Sequence, residues 1–488
     1  MAVHAGVFLR SLRPAVGSWI LAGVIFALGI ACRAETTQSR PNILYIMSDD
    51  HAAHAISAYG SKINKTPNLD RIGEEGMRLT NCFATNALCA PSRATILTGK
   101  YSHLNGVRTH GSPPFDGTQM TYPKLLQKAG YQTALVGKWH LKSDPTGFDY
   151  WNIFPGQGIY KNPRMIEMGT TKSLTGYATD IVTDVCIDYL KKRDTSKPFL
   201  LVCQHKAPHR EWTPDDKHAS MYENETIPTP ETYDDDYATR SNAAHKAKMR
   251  IDDLSTTDTK GSPPAELTGK ALKDWKYQHF IKDYLRCIAS VDDNVGRLLD
   301  FVKEEGLLDN TVIIYTSDQG FFLGDHNWFD KRFMYEESIR MPFLVRYPKE
   351  IKAGTTCDAF INNTDFAPTL LDYAGVAAPA DMQGRSFRSL LHGKKPTDWP
   401  KAFYYHFHEY PDHDHYAARH YGIRTDRYKL IHFYNPEDEW ELFDLKKDPR
   451  ELKNVYADTD YASIVGDLKA QLQTQRSKYK DTDGPDVK

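Results

Sequence analysis

Long apolar runs are nearly missing from this sequence. Beyond Ala31 no segment is apolar over the length that a bilayer crossing requires, so the mature chain is expected to carry no integral membrane segment. Charge of one sign is missing too. The 61 Lys and Arg offset 63 Asp and Glu to a formal net charge of −2, which excludes the polybasic field of a nucleic-acid or membrane-surface binder. A small anion needs only a few local cations, so an anionic substrate stays open. Cysteine is sparse, seven in 488 residues, and its wide spacing matches no zinc pattern. A chain of this length does not need disulfide staples. No internal repeat is visible.

The one apolar run, Ala15 to Ala31, follows Arg10 and Arg13 and ends in small residues. It reads as a signal peptide over 1–34, cut after Ala31 or Ala34, and implies export to the periplasm or beyond. Gly29-Ile30-Ala31-Cys32 is an imperfect lipidation site, so plain export is favoured over anchoring through Cys32. Six cysteines remain, enough for three disulfides, but the spacing does not pair them. Cys186, in a helical pattern, and Cys203, in an apolar strand, read as buried thiols.

Short apolar runs that end in polar residues recur along the chain. Strands are expected at Asn42–Met47, Tyr131–Val136, Pro198–Gln204, Asn310–Thr316 and Phe343–Tyr347. Helices are expected at Pro67–Met77 with Thr66 as its cap, at Gly176–Lys192 and at Tyr277–Glu305. This alternation predicts an α/β fold: a large, mostly parallel sheet sandwiched by helices. Four short strands between Phe403 and Leu445, then a helix at Tyr461–Tyr479, predict a smaller antiparallel C-terminal subdomain. The expected organisation is a catalytic domain over 35–377, a connection over 378–400 and a C-terminal subdomain over 401–488. Pro214 to Ala265 is polar and reads as a surface insertion near the substrate entrance.

The polar clusters follow strand ends, where open α/β sheets bind ligands. Asp49-Asp50 and Asp318-Gln319 are such ends. Each pair alone could be an exposed cap or turn. Together they form an all-oxygen set suited to Ca²⁺, with Mg²⁺ second. Gly137-Lys138-Trp139-His140 and His205-Lys206-Ala207-Pro208-His209 also follow strands, and Lys331 adds a cation. Cations around a metal suit a tetrahedral oxyanion, sulfate or phosphate ester. Trp139 could be a sugar platform or core, and core is favoured. Cys89, beside Arg93, could be a core thiol, half a disulfide, a thiolate nucleophile or a modified residue. Soft sulfur matches the hard oxygen set poorly, and an oxygen nucleophile would match it better.

The run Cys89-Ala90-Pro91-Ser92-Arg93-Ala94-Thr95-Ile96-Leu97-Thr98-Gly99 resembles the signature of the type I sulfatases of the alkaline-phosphatase superfamily. The likeness extends from Asn42 to about Tyr456 and includes SDD, GKWH, APH, SDQG and DKRFMYEES in the family's order. The resemblance implies that Cys89 is oxidised to formylglycine by a maturating enzyme. It also implies that Asp49, Asp50, Asp318, Gln319 and the modified residue 89 hold Ca²⁺. By the same likeness Arg93 and Lys138 stabilise the hydrated aldehyde and the sulfate, His140 helps break down the sulfated intermediate, and Lys331 binds sulfate. The family's second histidine usually stands as H-x-P. Here Glu211 replaces that proline, so His209 is expected to be the general acid and His205 a neighbour in the site. One hydroxyl of the aldehyde hydrate would attack sulfur and the other would expel sulfate.

The substrate implied is a sulfated oligo- or polysaccharide. The run SDQGFFLGDHNWFDKRFMYEES looks like bacterial sulfatases of the N-acetylglucosamine-6-sulfatase type. Asp325, His326 and Asn327 are expected to bind sugar hydroxyls. The His-rich run from His406 to His420 either reaches into the site or is a solvated loop with weak metal affinity. Rival expectations are a sulfatase for uronate 2-sulfate or an algal polysaccharide, a phosphodiesterase or phosphonate monoester hydrolase, and a catalytically dead glycan-binding relative.

Overall fold

A computed structural model describes residues 40–411 and 415–484. The expected signal peptide, with Cys32, lies outside the described residues, as does His413 of the His-rich run. Ten strands form the large sheet: β1 (Asn42–Ser48), β2 (Met77–Leu79), β3 (Gln132–Gly137), β4 (Tyr150–Ile153), β5 (Arg164–Glu167), β6 (Thr170–Ser173), β7 (Phe199–Gln204), β8 (Thr311–Ser317), β9 (Phe343–Arg346) and β10 (Thr355–Cys357). Their order is β10-β2-β9-β8-β1-β7-β3-β4-β5-β6. The five neighbours from β8 to β4 run parallel. Antiparallel partners join them toward both edges.

The central strands are buried on both faces, which is why they read as continuous apolar runs. Their side chains alternate between two cores. Leu44, Ile46, Leu201 and Cys203 face one layer, which includes Val182 and Cys186 of α3 (Ala178–Lys192) and Ile288 and Val295 of α4 (Gly269–Glu304). Ile43, Tyr45, Met47, Leu200 and Val202 face the other, with Ala94, Ile96 and Leu97 of α2 (Cys89–Thr98). The short helix α1 (Pro67–Glu74) adds Leu69 and Ile72 to the first core.

Two local expectations change. The helix expected to reach Met77 stops at Glu74, and Met77 begins β2. Thr66 does not cap α1 through its hydroxyl. That oxygen accepts from Ser57 N at 3.0 Å, while the free N–H groups of Asn68 and Leu69 go to the Asp292 carboxylate on α4, the latter at 2.8 Å. The segment 214–265 is more than a surface insertion. Ile227, Tyr233, Tyr237, Met249, Ile251 and Leu254 are buried, and a short helix spans Asn242–Lys246.

After the large sheet come β11 (Ala402–Phe407), β12 (Arg419–Thr425), β13 (Tyr428–Asn435) and β14 (Glu439–Asp444), an antiparallel meander, and then α5 (Ala462–Lys478). One face of the meander, with Tyr404, Ile423 and Leu430, packs with Leu468 and Leu472 of α5. Its other face, with Phe403, Tyr405 and Phe433, shares a core with Phe83, Leu88, Trp328 and Phe333. The six described cysteines are all free. Among the described residues no helix is long and apolar enough to cross a membrane.

Candidate active site

The C-terminal ends of β1, β3, β7 and β8 converge, and each delivers polar side chains. Gly137 ends β3 at φ +108°, and a Cβ there would lie 1.9 Å from Gln204 O. That close approach lets Lys138 N donate to Gln204 O at 2.8 Å and aims Lys138 inward. Asp50, His140, Asp330 and Arg332 all adopt positive φ (63°, 58°, 76° and 98°). Left-handed non-glycine residues are costly, and their concentration here marks a site whose surroundings enforce the geometry.

Asp49, Asp50 and Asp318 are all but inaccessible to solvent. Three cations meet them. Lys138 Nζ contacts Asp49 Oδ2 closely. Lys331 Nζ donates to both oxygens of Asp50, at 2.6 and 2.7 Å. Arg93 Nε donates to Asp318 Oδ2 at 3.0 Å, and its Nη2 lies 2.9 Å from the same oxygen. Arg93 Nη1 also donates to Gln204 Oε1 at 2.9 Å. Ser92 of the same helix donates its hydroxyl to Asp318 O and accepts from Asn363 Nδ2 at 2.9 Å. The Pro-Ser-Arg triplet thus ties α2 to the end of β8. Tyr284, on α4, donates to Asp50 O at 2.7 Å and accepts from Ala52 N at 2.8 Å, which fixes the turn after β1.

Cys89 begins α2, with Sγ 3.3 Å from Asp49 Oδ1 and 3.9 Å from Asp50 Oδ1. Burial, reinforced by Asp49, pushes its thiol well above the usual range, so the unmodified group is a poor thiolate. The helix N-terminus at this point favours an anion.

Burial makes two of the three carboxylates hold a proton more readily than usual. Burial, with Asp49 and Asp318 nearby, raises Asp50 to about 7 despite Lys331. Burial and Asp49 raise Asp318 to about 6 despite Arg93. Burial also pushes Asp49 upward, but Lys138 and Arg93 hold it well below the carboxylate range. Gln319 Nε2 donates closely to Asp50 Oδ1, and its buried Oε1 has no partner. Three carboxylates and an unpaired amide oxygen fit a hard divalent cation, which would discharge the raised pKa values and use the orphaned oxygen. Donor atoms of Asp49, Asp50, Cys89 and His209 all lie within 4.8 Å of one another, as do those of Cys89, His110 and His140.

His209 Nε2 faces Asp50 Oδ2 at 3.8 Å, and its Nδ1 bonds to Arg210 O. Because a carbonyl only accepts, Nδ1 carries the proton and Nε2 turns its lone pair to the site. Burial, then Lys138, hold both His209 and His140 well below the usual imidazole range. His140 stands beside His110, ring centroids 5.2 Å apart.

Other expected site residues lie elsewhere. His205 does not enter the cluster: it is fully buried with Nε2 3.5 Å from Cys203 Sγ, because alternation along β7 continues into its first loop residue. His326 is also fully buried, with Nδ1 2.9 Å from Asp235 Oδ2. Asp325 pairs with His54 at 3.2 Å and lines a separate cleft of about 640 Å³ with Tyr59, Glu337 and Arg450. Asn327 is buried with Oδ1 unpartnered. Trp139 is core, edge-on to Phe148. From the His-rich run, His406, His408 and His420 are buried in the small sheet, whereas His415 Nε2 lies 3.1 Å from Asp330 Oδ2, beside Lys331.

Sequence reasoning passed over Lys206, Asp330, Arg332, His110 and Tyr284. Lys206 is almost inaccessible, and burial with Lys138 nearby lowers it to about 8. Asp330 and Arg332 flank Lys331 in a motif already singled out, so adjacency could have found them. His110 and Tyr284 carry no local signal.

Fold and site together define a sulfuric ester hydrolase built on the alkaline-phosphatase plan. The sulfatase family model matches residues 41–376, and a second model, the C-terminal part of N-sulphoglucosamine sulphohydrolase, matches 324–478. The chain belongs to the sulfatase family. It is 48% identical to an N-acetylglucosamine-6-O-sulfatase of Bacteroides thetaiotaomicron, covering 92% of this chain and 88% of that one. It is 29% identical to human N-acetylglucosamine-6-sulfatase over 80% of this chain and 71% of the relative. A solved structure in complex with its substrate D-glucosamine-2-N,6-O-disulfate superimposes with a TM-score of 0.89 at 47% identity, covering 92% of this chain and all of that one.

Proposed function

We propose that this enzyme removes the 6-O-sulfate from glucosamine residues of sulfated glycans, with residue 89 acting as formylglycine and Ca²⁺ held by Asp49, Asp50, Asp318 and Gln319. The observation that carries the reading is Cys89 at a helix N-terminus, against a buried ring of three carboxylates and three cations. The glucosamine assignment is supported by the names of the relatives at 48% and 47% identity. The same reading includes export with loss of 1–34, conversion of Cys89 by a maturating enzyme, and the division into 35–377, 378–400 and 401–488.

When bound, Ca²⁺ would lower the pKa of the nucleophilic oxygen at residue 89 and offset the charge of the sulfate. Arg93, Lys138 and Lys331 bring the positive charge that sulfate oxygens need as they gain charge in the transition state. The negative ester favours the imidazolium of His209. Arg210 O keeps the Nδ1 proton, so the added proton sits on Nε2 and faces the departing sugar oxygen. His140, with a ring nitrogen within 4.8 Å of Cys89 Sγ, would take a proton from residue 89. Asp330, Arg332 and His415 form the wall beside Lys331 where sugar hydroxyls would be read.

The test is production with a formylglycine-generating enzyme, confirmation of the mass loss on the Leu79–Arg93 peptide, and sulfate release from defined saccharides. Release from 6-O-sulfated N-acetylglucosamine or N-sulfoglucosamine is expected. Release only from 2-O-sulfated uronates, or faster cleavage of phosphonate monoesters, would overturn the substrate assignment.

A further inference from the structure

Asp258, in the segment 214–265, forms an ion pair with Arg210 beside the reaction centre. Arg210 follows the catalytic-loop histidine and donates Nε and Nη2 to the two oxygens of Asp258, each at 2.7 Å. Asp258 is fully buried and is itself held by Ser255, whose N and Oγ donate to Oδ2 at 2.8 and 2.7 Å. The guanidinium also lies 5.2 Å from the ring centroid of Phe329, one residue before Asp330 and two before Lys331. A planar fork locked at both nitrogens, over an aromatic face, leaves Arg210 little rotational freedom.

That restraint bears on His209, because Arg210 O is the acceptor that sets its tautomer. The same carbonyl accepts from Lys206 Nζ at 3.2 Å, and Tyr160 OH donates to His209 O. Glu211 follows, where a proline would have stiffened the loop. Trp212 then anchors the far end, fully buried against Phe280.

We infer that the Arg210–Asp258 pair is a positioning device: it holds the Arg210 carbonyl on His209 Nδ1 and so keeps Nε2 aimed at the leaving oxygen. The inference rests on His209 being the acid of the proposed function. Neither Arg210 nor Asp258 needs to touch the substrate.

The test uses the converted full chain with two substrates of different leaving group. A sugar alkoxide needs its proton, whereas 4-nitrophenolate leaves well without one. His209→Ala is the benchmark, and Asp258→Asn and Arg210→Lys are the probes. Both probes keep size, and Arg210→Lys keeps charge but loses the fork. Each variant is read as a ratio of kcat on 6-O-sulfated N-acetylglucosamine to kcat on 4-nitrophenyl sulfate, which cancels any fraction that fails to fold. Both probes should lose about 10–100-fold on the sugar and less than about threefold on the aryl ester, a part of the 10²–10⁴ that a general acid supplies. If His209→Ala shows this bias and the probes lose both activities equally, or neither, the positioning inference is overturned. If His209→Ala itself shows no bias, the assignment of His209 as the acid fails and the inference falls with it.

Discussion

At the scale of single residues, the chemistry depends on residue 89 ceasing to be cysteine. Its thiol is buried, lies 3.3 Å from a carboxylate and is pushed well above its ordinary pKa. A thiolate would therefore need a proton removed from a pocket that already holds three carboxylates. Cys89→Ser tests this directly. Serine fits the space and presents an oxygen, but it has no second hydroxyl with which to expel sulfate. The expected outcome is at most one sulfate transferred per enzyme and no turnover, with Tm within about 2 °C of the parent, as for other near-isosteric changes. Multiple turnovers by this variant, followed by sulfate release against time, would sink the assignment. Asp49, Asp50, Lys138, Asp318 and Gln319 were legible because they stand directly after strands, and Cys89 and Arg93 because of their motif. His205 was not. It also follows a strand, but strand alternation sends its imidazole to the sulfur of Cys203 and leaves His209, four residues on, to face Asp50.

At the scale of elements, strands that place catalytic groups depend on partners far away in sequence. Asp292 on α4 accepts from the first free N–H groups of α1 across 223 residues. Burial raises this carboxyl to about 6, against the usual 3.8. Between those two values the folded chain keeps a proton that the unfolded chain releases. The group's contribution to stability is therefore full below about pH 4 and falls as pH rises through about 6. Asp292→Asn keeps the acceptor but cannot ionise. Thermal unfolding of parent and variant between pH 4 and 7 should show the variant gaining on the parent as pH rises, and a constant difference would refute the argument. Gly137→Ala makes the companion prediction at β3. Its Cβ would strike Gln204 O, so β3 and β7 must part and Lys138 must move. A loss of about 1–3 kcal/mol of stability, by overpacking and strain, is expected, with sulfatase activity lost at temperatures where the fold persists. Equal activity would show that Lys138 tolerates displacement. Neither effect could be read from sequence, since Thr66 has the look of a cap and Gly137 the look of an ordinary turn. What was readable at this scale was each central strand, because burial on both faces leaves an unbroken apolar run.

At the scale of the whole molecule, the alternation of strand and helix announced the large parallel sheet, and the change of style after residue 400 announced the small antiparallel one. How the two sheets join was beyond the sequence, because the joint is a shared core. Phe403, Tyr405 and Phe433 of the small sheet pack with Phe83, Leu88, Phe333 and Tyr335 around the start of the catalytic helix. Tyr405 OH accepts from Ala87 N at 3.1 Å, two residues before Cys89, and donates to Arg332 O. Thr85 O accepts from His406 N at 3.0 Å. Lys429 of β13, fully buried, pairs with Glu336 at 2.9 Å and Glu451 at 2.6 Å, and Glu336 begins the short helix Glu336–Ile339 that follows the Lys331 loop. Separating the sheets would expose this aromatic face, a cost of several kcal/mol, and break the Lys429–Glu336 pair. The two sheets should therefore unfold together. Calorimetry of the full chain is expected to give one transition whose van't Hoff and calorimetric enthalpies agree. Two resolved transitions, with sulfatase activity surviving the first, would show instead that the small sheet is a separable appendage and that His415 and Tyr405 do not serve the site.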